Sequence, residues 1–121
     1  MLNERKVLVV DDDRLICWSL EKALKKDGCE VSVARTGEEA RERLERDDFD
    51  LVITDLKMPG MDGMEVLEEV RRHCPSARSV LMTAFGSGEI SLQAEKYGAS
   101  YIAKPFQIKE FVNDIRRLFN P

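Results

Sequence analysis

Short aliphatic, β-branched runs alternate five times with longer stretches of helical period, and this alternation admits few architectures. The first strand is expected at Lys6–Val10, followed by a helix from about Arg14 to Asp27 whose Leu15, Ile16, Leu20, Ala23 and Leu24 form an apolar stripe. Asp13 caps that helix and Gly28 stops it. A second strand, Val31–Ala34, leads through a capping box, Thr36-Gly37-Glu38-Glu39, into a charged helix reaching about Arg46, with Ala40 and Leu44 turned inward. Leu51–Thr54 is apolar throughout, the pattern of a central strand covered on both faces. Beyond it, Pro59-Gly60 suits the middle of a type II turn and Gly63 suits a positive φ. A helix from about Met64 to His73, a strand at Val80–Met82, a helix from about Ser87 to Tyr97 stopped by Gly98, a strand at Tyr101–Ala103 and a helix from about Ile108 to Phe119 complete the series.

Strands joined by helices make a parallel sheet with right-handed crossovers and helices on both faces. The expected fold is α/β, a doubly wound five-stranded parallel sheet of order 2-1-3-4-5 with five helices. At 121 residues, 43% of them hydrophobic, the chain is expected to form one domain over residues 1–121. The formal charge of −4 speaks against sequence-independent nucleic-acid binding, which needs a basic face. The longest aliphatic run, Val7–Val10, is far too short for a membrane span, and no secretory signal precedes it, so a cytoplasmic location is expected. Three widely spaced cysteines, Cys17, Cys29 and Cys74, without a Cys-x-x-Cys pair, fit unpaired thiols in a reducing compartment. The single histidine, His73, reads as a helix-end residue, and no Gly-x-Ser-x-Gly is present, which speaks against Ser-His-Asp hydrolysis.

In an open α/β sheet, ligands bind outside the carboxyl ends of the strands where the order reverses. Asp11, Asp12 and Asp13 follow the first strand, Asp55 the third, Thr83 the fourth and Lys104 the fifth. With the first and third strands adjacent, Asp11, Asp12 and Asp55 converge. Two like charges at about 4 Å repel by roughly 4 kcal/mol near a protein surface, so three carboxylates require cations. All-oxygen ligation points to magnesium, with Lys104 as a second positive charge. Glycine loops that cradle phosphates are absent, Gly86-Ser87-Gly88 reading only as the start of a helix. The acidic site is expected to reject a bare phosphate or flavin phosphate unless a divalent metal bridges, which disfavours a flavodoxin.

These residues make the sequence resemble the receiver domain of bacterial two-component response regulators (CheY-like). The resemblance covers essentially the whole chain. It is carried by Val9-Val10-Asp11-Asp12-Asp13, by Thr54-Asp55-Leu56-Lys57-Met58-Pro59-Gly60-Met61-Asp62-Gly63, by Leu81-Met82-Thr83-Ala84 and by Tyr101-Ile102-Ala103-Lys104-Pro105-Phe106. Thr83-Ala84-Phe85-Gly86 and Lys104-Pro105-Phe106 look most like receivers of nitrogen-regulation-type transcription activators.

The resemblance implies that Asp55 accepts a phosphoryl group from a sensor histidine kinase or phosphotransfer protein in a Mg2+-dependent reaction, with Mn2+ as a substitute. Asp12, Asp55 and the backbone carbonyl of Lys57 would hold the metal directly, and Asp11 through water. Lys104 and Thr83 would contact the phosphoryl oxygens, and Ala84, Phe85 and Pro105 would line the site. Thr83 and Tyr101 would form a switch that changes the face of the fourth helix, fifth strand and fifth helix, for effector docking or homodimer formation. Such a domain is a phosphoacceptor that catalyses its own phosphorylation and slow dephosphorylation rather than an enzyme, with no direct contact to nucleic acid or membrane. A cis Lys104-Pro105 bond is expected, turning the Lys104 ammonium back toward Asp55.

Two alternatives stand beside this reading. A degenerate receiver would bind partners without phosphorylation, although Asp55, Thr83 and Lys104 are intact. An aspartate-nucleophile phosphatase of the haloacid-dehalogenase type would use Asp11-x-Asp13, but Leu15 stands where its Thr or Val follows. Without a helix-turn-helix or ATPase motif, the chain is expected to be a stand-alone regulator or the amino-terminal piece of a longer one.

Overall fold

The computed structural model describes residues 1–84 and 86–120. Five strands, β1 (Lys6–Val10), β2 (Glu30–Ala34), β3 (Leu51–Asp55), β4 (Arg78–Thr83) and β5 (Ser100–Ala103), alternate with α1 (Arg14–Lys26), α2 (Gly37–Arg46), α3 (Gly63–His73), α4 (Gly88–Lys96) and α5 (Ile108–Phe119). All pairings are parallel, in the order β2-β1-β3-β4-β5, as expected. Among the described residues no helix is long and apolar enough to cross a membrane.

Side chains alternate across a strand, so each central strand feeds two cores. Val7 and Val9 of β1, Leu51 and Ile53 of β3, and Val80 and Met82 of β4 pack with Leu20 and Leu24 of α1 and Phe111 and Ile115 of α5. On the opposite face, Leu8, Val10 and Val52 meet Ala40 and Leu44 of α2 and Val66 and Val70 of α3. Leu81 packs on that same side with Leu67 of α3 and Ala94 of α4. Every residue of β3 is buried, as its unbroken apolar run requires, whereas the edge strands β2 and β5 are largely half-exposed.

Several local expectations are corrected. Leu15 is 69% exposed, because the buried line of α1 runs through Cys17, Leu20 and Leu24. Two residues on a helix are about 200° apart, which carries Leu15 to the far side from Cys17. Gly63 does not take a positive φ, whereas Gly28, Gly60 and Gly98 do. Gly63 is instead required for close approach: a Cβ there would lie 2.3 Å from the Asp55 carbonyl oxygen and 2.8 Å from Leu56 Cα. The reciprocal half of the expected box at α2 is displaced by one residue, since Thr36 Oγ1 accepts from Glu39 N–H but the Glu39 carboxylate accepts from Arg35 N–H. A complete capping box occurs instead at α3, between Asp62 and Glu65. β4 extends two residues earlier and one later than expected, ending on Thr83.

The N-cap role of Asp13 holds, its carboxylate accepting from the amides of Leu15 and Ile16. His73 ends α3, with Nε2 3.2 Å from Glu69 Oε2. The three thiols are free and buried, and burial pushes Cys17 and Cys29 up to about 11. They are therefore protonated and inert at neutral pH.

Far from the carboxyl ends of the strands, buried Asp27 ties the chain start to α5. It accepts from Leu2 N–H at 2.9 Å and pairs with the Arg116 guanidinium. Those Arg116 hydrogen bonds, opposed by burial and aided by the Leu2 amide, hold its carboxyl below the ordinary carboxylate range. A depressed folded pKa contributes stability above the unfolded value, and that contribution is lost as pH falls through the folded value. Asp27→Ala is expected to lower unfolding free energy by about 2 kcal/mol at pH 7, the scale of hydrogen bonds to a charged group. In urea titrations the deficit should shrink in acid. A variant as stable as the parent at pH 7 would show that the network contributes nothing.

Candidate functional site

The sheet brings the sequence-separated polar residues together at the carboxyl ends of β1, β3, β4 and β5. Asp55 is the last residue of β3 rather than the first beyond it, and Thr83 likewise ends β4. Asp11 continues β1, its N–H donating to the Ala34 carbonyl at 3.1 Å. Asp11 is fully buried, Asp55 is 8% exposed and Asp12 faces solvent. Oxygens of these three carboxylates lie within 4.8 Å of one another.

Lys104 spans the cluster. Its ammonium is 2.9 Å from Asp11 Oδ2 and 3.1 Å from Asp55 Oδ1. The Lys104-Pro105 bond is cis, and Lys104 N–H donates to the Thr83 carbonyl at 2.9 Å, fixing the loop after β5 against the end of β4. Asp11 is held from the other side as well: its Oδ1 accepts from Asp13 N–H and its carbonyl accepts from the Cys17 thiol.

Burial, and then the neighbouring Asp11 charge, raise the Asp55 carboxyl above its ordinary value despite the hydrogen bond from Lys104. Burial also penalises the Lys104 ammonium, yet hydrogen bonds and charge from Asp11 and Asp55 hold its pKa above the ordinary value. One ammonium thus partly neutralises three carboxylates. The excess negative charge on hard oxygen donors, with neither histidine nor thiolate among them, fits a small divalent cation.

The remaining expected site residues surround this centre. Lys57 follows Asp55 by two residues in the β3–α3 loop, Ala84 is exposed at the bend after Thr83, and Thr83 itself is 2% exposed. Tyr101 is half-buried on β5, in register with Leu81. Phe85, expected at the mouth, lies outside the described residues.

A feature not foreseen from sequence adjoins the centre. Leu15 and Ile16 of α1 face Pro105, Phe106 and Ile108 across an open groove of about 300 Å³ that Lys104 also lines. Trp18, 58% exposed on α1, adds to the uncovered apolar surface of that helix. The signal was present in Leu15, which falls off the Cys17-Leu20-Leu24 line, but its partners come from the other end of the chain.

The family model described as the response regulator receiver domain matches residues 7–116. The chain belongs to the response regulator receiver family. This receiver is 37% identical over 112 residues to the DNA-binding transcriptional regulator NtrC of Escherichia coli (strain K12), covering 92% of the chain but 24% of the relative. It is 34% identical over 118 residues to sporulation initiation phosphotransferase F of Bacillus subtilis (strain 168), covering 97% of the chain and 94% of the relative. Among solved structures it is similar to a CheY-like response regulator receiver domain protein from Methanospirillum hungatei JF-1, with a TM-score of 0.92 at 31% identity over 98% of this chain and 95% of that one. The receiver thus spans about a quarter of the NtrC sequence and nearly the whole of the sporulation phosphotransferase.

Proposed function

We propose that residues 1–121 form one receiver domain in which Asp55 accepts a phosphoryl group from a phosphohistidine of a sensor histidine kinase or phosphotransfer protein. The observation that carries this reading is the Asp55 carboxylate, nearly buried at the end of the central strand and bridged by Lys104 to Asp11. An Asp55 oxygen forms the new O–P bond as the N–P bond to the donor ring breaks, and the ring, already protonated on its other nitrogen, takes the electron pair and leaves as neutral imidazole. Phosphoryl transfer of this kind needs positioning and charge neutralisation more than covalent help from the protein. Lys104 supplies a fixed positive charge beside the attacking oxygen. Thr83 donates its hydroxyl to a phosphoryl oxygen, and Ala84, being small, leaves its amide accessible to another.

Asp12, Asp55 and the Lys57 carbonyl would hold Mg2+ or Mn2+, with Asp11 as a further oxygen donor of the cluster. When bound, the metal spreads the negative charge of the transferring group. The bulk of Lys57 at the mouth sets how readily water reaches the acyl phosphate. The protein promotes its own phosphorylation and slow dephosphorylation and is otherwise a cytoplasmic switch rather than an enzyme. Modification draws Thr83 toward the phosphoryl group, Tyr101 turns inward, and the α4–β5–α5 face becomes competent for effector docking or homodimerisation.

The groove between α1 and the loop after β5 receives the phosphodonor protein, because its wall is the Lys104-Pro105 segment whose ammonium already touches Asp55. A partner seated there places its histidine beside the site. Leu15→Asp is expected to slow transfer from a histidine phosphotransfer protein about tenfold or more, a loss of about 1.4 kcal/mol at a small apolar contact. Uptake from acetyl phosphate, which needs no docking, should match the parent. Equal slowing with both donors would remove the groove from recognition, and failure of both proteins to gain one phosphoryl group with acetyl phosphate and Mg2+ would remove the phosphoacceptor itself.

A further inference from the structure

The first turn of α4 is prepared by Gly86 and Ser87, whose Oγ caps the helix by accepting from Ile90 N–H. A demand for glycine at position 86 comes from β5. A Cβ at residue 86 would lie 1.4 Å from Tyr101 Oη, 2.6 Å from Cζ and 3.4 Å from Cε2, and these three are the nearest atoms it would meet. The tyrosine hydroxyl thus occupies the volume that any side chain at position 86 would fill.

We propose that Gly86 is the seat of the Tyr101 hydroxyl, and that the vacancy left by the missing side chain determines where the Tyr101 ring rests and how α4 begins. The proposal deepens the switch reading above and rests on it for its consequence, not for its geometry. No rotamer change at position 86 can relieve an overlap of 1.4 Å with Cβ, so ring and methyl exclude one another. The element on the other side is lightly anchored: Ala94 is the one buried residue of α4, while Leu92 is 62% exposed. Either the ring leaves or the start of α4 shifts. The hydroxyl and Cζ project onto Gly86 as the far end of a flexible side chain on an edge strand, whereas the start of α4 is held by the Ser87 cap. The ring is the part that yields. Residue 86 therefore acts as a positioning residue for Tyr101, three residues from Thr83, so that movement of Thr83 and release of the hydroxyl from its seat are mechanically linked.

The test uses the whole chain. In the unmodified parent, nuclear Overhauser contacts are expected between the Tyr101 ring and the Gly86 Hα protons; their absence overturns the seat. The chain has two tyrosines, so Tyr101→Phe distinguishes the Tyr101 ring from Tyr97. Gly86→Ala, without any phosphodonor, is expected to move the Tyr101 ring resonances most of the way to the position they take in the parent with beryllofluoride and Mg2+. In a Tyr101→Ala background the same Gly86→Ala change should leave the amide spectrum of α4 unchanged. Ring resonances that stay at the parent position in Gly86→Ala, or an α4 response that persists without the tyrosine ring, overturn the proposal. Intact mass after acetyl phosphate and Mg2+ reads the phosphoacceptor assignment separately. If the parent gains no phosphoryl group while Gly86→Ala still displaces the ring, the seat stands and the phosphorylation reading falls.

Discussion

Asp55→Asn is expected to take up no phosphoryl group from acetyl phosphate and Mg2+, and at neutral pH without metal to unfold at a higher temperature than the parent. The first effect follows from removal of the nucleophilic oxygen of the carboxylate that ends the central strand, 3.1 Å from the Lys104 ammonium. The second follows from the electrostatics of the site. Burial and Asp11 raise the Asp55 pKa, so the folded protein favours the neutral carboxyl. A raised carboxyl pKa costs no stability below the unfolded value near 3.8; the cost develops as pH rises and is complete above the folded value. Replacing the carboxylate with an isosteric amide removes that cost, while Lys104 keeps Asp11 at 2.9 Å. The expected gain is about 1 kcal/mol at pH 7, typical where function has been built at the expense of stability. It should fade as the pH is lowered into the carboxylate range. A variant that is less stable at every pH would show that the Asp55–Lys104 pair outweighs the crowding of like charges.

Chelation should be equally decisive. With excess EDTA, uptake from acetyl phosphate is expected to stop, and Asp12→Ala should lose most uptake at low-millimolar Mg2+ because it strips an oxygen donor from a site with no substitute. Metal binding also has a readout that does not involve the reaction. A ligand that binds only the folded state stabilises it by about 2.7 kcal/mol at a hundred times its dissociation constant, so Mg2+ should raise the parent's melting temperature by several degrees. Asp12→Ala and Asp55→Asn should each lose most of that increment. Undiminished uptake in EDTA, or a Mg2+ increment intact in both variants, would exclude the metal from the Asp11-Asp12-Asp55 cluster.

The parallel sheet, its order and the convergence of Asp11, Asp12, Asp55 and Lys104 were legible in the sequence because they depend on periodicity and chain order. An apolar run such as Leu51–Thr54 has one stable location, the centre of a sheet covered on both faces. Features requiring contact between distant segments were less accessible. Leu15 fits an apolar stripe on paper, yet Cys17 occupies the buried line of α1, and the groove that Leu15 borders exists only because residues near position 105 fold back beside it. Gly63 could be recognised as special but not why, since the reason is the Asp55 carbonyl 2.3 Å from the missing Cβ. The same applies to Gly86, which sequence alone reads as the start of a helix and the fold places under the Tyr101 hydroxyl. The Asp27–Arg116 network joins α1 to α5 across nearly the whole chain, and no local pattern announces it.

The central claim is that an acyl phosphate forms on Asp55. The most direct measurement is to phosphorylate the protein with acetyl phosphate and Mg2+, reduce it with borohydride, which converts an aspartyl phosphate to homoserine, and locate the modified residue by peptide mass. The expected result is one homoserine, at position 55, with none in a sample kept in EDTA. Homoserine at position 11 or 12, or a phosphoryl group that survives borohydride on a serine or threonine, would contradict the account.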